Sequence, residues 1–154
     1  MKATMKRLIA AVFALLLTQA ALAGVKIEHW VSSSGAHVYF VESRVLPMLD
    51  VQVDFAAGSL FDLAGKSGLA ALTRATLDNG AGQLDETAIA ERLADIGANL
   101  GGGVDTDRAS VALRTLAARD KREPALDILK TVIQAPRFDA AIFEREKART
   151  IAGL

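Results

Sequence analysis

The stretch MLDVQVDFAAG, Met48 to Gly58, alternates apolar and polar residues so strictly that it can bury one face only as an extended strand. Leu49, Val51, Val53 and Phe55 fall on one side, and Asp50, Gln52 and Asp54 on the other. A strand cannot satisfy its backbone alone, so partners must lie elsewhere in the chain. KIEHWV (Lys26 to Val31) and AHVYFVES (Ala36 to Ser43) alternate in the same way around the turn SSSG, which is a hairpin signal. NLGGGVD (Asn99 to Asp105) and ASVALRTLA (Ala109 to Ala117) supply a second extended pair, the latter alternating Val111, Leu113 and Thr115 with Ala112, Arg114 and Leu116. Three antiparallel strands are expected before any helix.

Helical segments fill the gaps. GLAALTRATLDNG, Gly68 to Gly80, has the length and the glycine ending of a helix. A second runs from about Asp85, a good N-cap, to Ile96, with Gly97 just past its end. A third spans Arg119 to Ile133, with Pro124 in its opening turns, and Pro136 closes that segment. Asp139 caps a final helix that runs to the last residue. The order βββ-αα-ββ-αα predicts an α+β fold, a mostly antiparallel sheet with helices packed on one face.

Ahead of this pattern, Lys2, Lys6 and Arg7 precede the apolar run LIAAVFALLL, Leu8 to Leu17, which is too short to span a bilayer. Ala21, Leu22 and Ala23 form a small-x-small site, so residues 1–23 read as a secretory signal peptide cleaved after Ala23, the membrane being met only during export. The leader holds three of the 18 basic residues and none of the 18 acidic ones, leaving 15 against 18 in residues 24–154. That balance offers no basic stripe for a nucleic acid. With no cysteine the chain has no disulfide framework, no thiolate ligand and no lipid-bearing N-terminal cysteine, and a periplasm is the simplest destination. The last helix, FDAAIFEREKARTIAGL, stops without a cap or polar tail, so residues 24–154 are expected to be a domain truncated at its C-terminus.

Several motifs fail on spacing. AGKSG, Ala64 to Gly68, lacks the upstream glycine of a phosphate loop, Leu60 standing in its place. GGGVDTD carries Thr106 where a dinucleotide fingerprint needs its third glycine, and Ala109 and Ser110 where a calcium loop needs a ligand and a glycine. His29 and His37, on either side of the hairpin turn, could be cross-strand neighbours, but a zinc site needs three or four ligands, and strand histidines without a role are the commoner case. No serine has an evident His-Asp pair to serve it.

The first helix has an odd working face, where Ala71 and Ala75, four apart, lie beside Arg74. In register, GKSGLAALTRATLDNGAG resembles the signature helix of the insulinase/pitrilysin family of zinc metallopeptidases, the inverzincins, in which H-x-x-E-H supplies two zinc ligands and a general base. Gly68, Leu69 and Ala70 match the lead-in and Gly80 the closing glycine, while FAAGSLFD and RFDAAIFEREK resemble the family's approach strand and distal helix. The resemblance places Ala71 and Ala75 at the histidine positions, Arg74 at the base and Gly153 at the third ligand. Only Glu146, a supporting carboxylate, survives. Two methyls, a hydrogen and a guanidinium cannot hold zinc.

The resemblance therefore implies the N-terminal domain of a non-catalytic member. In such families paired halves close around an unfolded peptide, so the chain is expected to be a periplasmic partner of a related catalytic subunit, forming a heterodimer, with zinc only in that partner. The corresponding peptide-docking edge strand is Leu100, Gly101, Gly102, Gly103 and Val104, whose glycines leave the backbone accessible but supply no pockets. A stand-alone periplasmic peptide-binding or scaffold protein is the alternative. An active zinc metalloendopeptidase, the third reading, would need an unorthodox metal site.

Overall fold

The computed structural model describes residues 24–153, which fall into two compact units that meet in sequence at Val45 and Leu46. The expected leader, residues 1–23, lies outside the described residues. In the first unit β1 (Ile27–Val31) and β2 (His37–Val41) form the expected antiparallel hairpin, with His29 opposite Tyr39 and Val31 opposite His37. Its turn is closed by the Ser32 N–H on the Ala36 carbonyl at 2.8 Å and the Ala36 N–H on Ser32 Oγ at 3.0 Å. Gly35, at φ +87°, takes the left-handed position of that turn.

The second unit contains β3 (Met48–Phe55), a 3-10 turn (Ser59–Phe61), α1 (Leu69–Leu77), β4 (Gly80–Ala81), β5 (Leu84–Asp85), α2 (Glu86–Asp95), β6 (Asn99–Val104), β7 (Ala109–Leu116), α3 (Arg119–Gln134) and α4 (Ala140–Ala152). Its main sheet is antiparallel in the order β3-β7-β6. Val51 lies opposite Leu113 and Val53 opposite Val111, so the alternating faces of the two strands coincide, and Asp50 meets Arg114 through a two-pronged ion pair at 2.6 and 3.1 Å. Three strands do precede the first helix, but they do not form one ladder: β1 and β2 make a sheet of their own, and β3 pairs with β7, more than fifty residues downstream.

The core lies where β7 meets α3 and α2. Val111 and Leu113 pack with Ile128, Leu129 and Val132 of α3 and with Ile89 and Leu93 of α2. Each such side chain, fully buried, contributes roughly 1.5–3 kcal/mol. Thr115, also buried on this strand, finds no hydrogen-bond partner for its hydroxyl among the described residues.

The helix ends follow the sequence in two cases and depart from it in a third. Asp85 caps α2 as expected, its carboxylate accepting the Ala88 N–H at 2.8 Å, and Gly97 at φ +65° ends it. Asp139 stands at the N-cap of α4, but its carboxylate pairs with Arg137 at 2.9 Å and caps no helix amide. The β4–β5 pair was not legible in advance, because two-residue strands are too short to alternate. It is held by its surroundings: Ala81 bridges to Pro136, and the Arg137 N–H reaches the Gly80 carbonyl at 2.9 Å. Among the described residues no helix is long and apolar enough to cross a membrane.

Candidate functional site

Helix α1 starts at Gly68, whose φ of +90° suits glycine, and its first amides are capped from outside the helix. The Asp62 carboxylate accepts the Gly68 N–H at 2.7 Å and the Ala70 N–H at 2.8 Å. These are the amides a phosphate would need, so AGKSG fails as an anion loop on geometry as well as on spacing. The helix packs against α4 and alongside β6.

On that scaffold Ala71 and Ala75 are exposed, and Arg74 turns inward. The Arg74 side chain is only 12% exposed. Its Nε donates to the Ser110 carbonyl of β7 at 3.0 Å, and its Nη1 donates to Asp78, one turn along the helix, at 3.3 Å. Arg74 is thus a strut between helix and sheet. Asp78 could have been anticipated from the i,i+4 spacing, whereas Ser110, 36 residues away, left no signal in the sequence.

Gly102 lies under this strut. It adopts φ +140°, and a β-carbon there would overlap the Ser110 carbonyl and come within 2.9 Å of Arg74 Nε. Gly101 and Gly103 face open space. Strand β6 is an edge strand as expected, and its middle glycine is the one position there where the β7 backbone and Arg74 leave no room for a side chain. Ser110 tightens the same spot, its hydroxyl accepting the Gly103 N–H at 3.0 Å and donating to the Gly103 carbonyl at 3.3 Å. At the β6–β7 turn Asp105 accepts the Arg108 N–H at 2.9 Å and pairs with its guanidinium at 3.1 Å. That hydrogen bonding holds the Asp105 carboxyl below the usual aspartate range.

On α4, Glu146 is buried, and its carboxylate accepts from Arg145 Nε at 2.9 Å and Arg149 Nη1 at 3.5 Å. Arg145 also forks onto Glu86 at the start of α2, at 2.8 and 3.0 Å. Its hydrogen bonds with Glu86 first, and with Glu146 second, raise the guanidinium further above its already high range. Glu146 therefore serves an arginine bridge between helices. Gly153 is the C-cap of α4 and contributes no side chain.

A cavity of about 370 Å³ opens between α1 and the sheet, lined by Phe55, Phe61, Leu69, Leu77, Val111 and Ile133 among others. Arg74 and Asp62 reach it with polar groups already engaged. Of the three residues of the odd face of α1, Arg74 lines it and the two alanines, Ala71 and Ala75, do not.

Comparison with known proteins identifies the fold. The family model for insulinase (peptidase family M16) matches residues 39–152. Among solved structures, the inactive domain of a peptidase M16 from Pseudomonas fluorescens superposes with a TM-score of 0.80 at 42% identity, covering 84% of this chain and 31% of that one. A protease from Helicobacter pylori (TM-score 0.70, 18% identity, 81% of this chain and 30% of that one) shares the fold. So does the periplasmic protease PqqL from Escherichia coli (0.71, 17%, 84% and 14%). The chain thus spans less than a third of the length of each. No curated protein matches it. The fold, the match over most of the sequence and the identity to the Pseudomonas domain together place this chain in the insulinase family, peptidase family M16.

Proposed function

We propose that residues 24–154 form a non-catalytic insulinase-family domain that completes the peptide-binding chamber of a related, active zinc metallopeptidase in the periplasm. The observation that carries this reading is Arg74: at the position of the general base stands a guanidinium whose Nε is spent on the Ser110 carbonyl, between two alanines that offer no ligand. A fixed positive charge there opposes a divalent cation. The inactive domain from Pseudomonas fluorescens, at 42% identity, supports the same reading. Zinc would belong to the catalytic partner, and an unfolded peptide would meet this chain along the outer edge of β6, the free edge of the β3-β7-β6 sheet.

The test is co-purification of this protein with a co-encoded relative that keeps H-x-x-E-H, followed by peptidase assays of each alone and of both together, with metal measured in each. The expected result is a complex whose activity exceeds that of the relative alone, with zinc only in the relative. A relative that is fully active alone and does not bind this chain would defeat the partner role. Peptide binding by this chain alone would then favour a stand-alone binder.

A further inference from the structure

The hairpin holds a feature that the degenerate site does not absorb. His29 Nε2 and His37 Nδ1 lie 3.3 Å apart across the β1–β2 ladder. The residues are diagonal, His29 being opposite Tyr39 and His37 opposite Val31, so their side chains share one face. The rings are within 15° of parallel, with centroids 5.5 Å apart. That centroid distance is close to the nitrogen separation plus two ring radii, so the two ring edges point at each other. Tyr39 stacks on His29 at 4.6 Å and 24°, which restricts rotation of that imidazole. Both histidines are exposed.

We propose that His29 and His37 form a binding site for one divalent transition-metal ion, held through His29 Nε2 and His37 Nδ1. Two imidazole nitrogens bound to one tetrahedral zinc at about 2.0–2.1 Å lie about 3.4 Å from each other. The observed 3.3 Å matches that spacing, so the nitrogens need not separate, and each facing lone pair swings by about 35° off the line between them to reach a shared ion. As the rings stand, one nitrogen donates its hydrogen to the other. On metal binding the donor ring takes its other tautomer, carrying the hydrogen on the outward nitrogen and freeing both facing lone pairs. No cluster of three or more His, Cys, Asp or Glu ligands occurs among the described residues, so the pair supplies two positions and water completes the shell. Such a site selects imidazole-binding ions such as zinc over the oxygen-seeking magnesium. It belongs to the hairpin unit and does not rest on the partner reading.

The experiment is a zinc titration of the full chain, free of any histidine tag, followed by imidazole NMR and by calorimetry, with magnesium as the control. The chain has two histidines, so their ring signals identify the site without ambiguity. Saturating zinc should shift both rings at one ion per chain, and magnesium should shift neither. His29→Ala and His37→Ala should each weaken zinc binding by roughly tenfold or more, since the loss of even an outer-shell partner of a ligand typically costs that much. Ring signals unmoved in the unaltered protein would overturn the proposal whatever the variants do. So would zinc affinity unchanged in both single variants.

Discussion

Arg74 and Gly102 set the energetics of the contact between α1 and the sheet one residue at a time. Truncation of Arg74 to Ala leaves the Ser110 carbonyl without its charged donor and empties space between α1 and the sheet. Urea denaturation should show a loss of about 1.5–3 kcal/mol, the range for hydrogen bonds to charged groups. Gly102→Ala should cost about 1–3 kcal/mol, because a β-carbon is forced into the left-handed region and against the β7 backbone. Combining it with Arg74→Ala should not rescue it, since the Ser110 carbonyl remains; full rescue would show that Arg74 alone forbids the side chain. Neither effect could be read from the sequence. Arg74 looked like a lost base and Gly102 like a soft strand, and only a contact between distant segments gives either its role.

Among the elements, the β3–β7 ladder and the caps carry the clearest consequences. Hydrogen bonding from Arg114 holds the Asp50 carboxyl below its usual range. A carboxylate whose pKa is lowered by folding stabilises the native state above the unfolded value and loses that contribution as pH falls through the folded one. Thermal melts of Asp50→Asn should therefore depend less on pH below about pH 4 than those of the unaltered protein, and match its slope above. The difference should be small, because the Asp50 side chain is 61% exposed and screened by water. Asp85→Ala should lower stability by roughly 0.5–2 kcal/mol through loss of the α2 cap. These elements were legible because their signals are local: strict alternation for β3 and β7, and an aspartate ahead of a helix and a glycine behind it for α2. The cap of α1 was not, since Asp62 reaches back to Gly68 across a loop, and Asp139 misled because Arg137 takes its carboxylate.

For the whole molecule, assigning Ala71, Ala75 and Gly153 to former ligand positions has a direct check. In a chain that also carries His29→Ala and His37→Ala, installing Ala71→His, Arg74→Glu and Ala75→His together should give weak zinc binding at most, because three protein ligands are the rule for a catalytic site. Adding Gly153→Glu should raise the affinity by a clear margin in equilibrium dialysis. No gain from the fourth change would show that α4 does not deliver its end to this face. The strut described at Arg74 bears on any such return. Restoring glutamate there by a single step places a carboxylate against the Ser110 carbonyl, two acceptors with no hydrogen between them. The chain would have to lose stability before it could carry a carboxylate base at this position. On the proposed non-catalytic reading, loss of the base acts as a ratchet: the position is not vacant but refilled, and its occupant resists replacement.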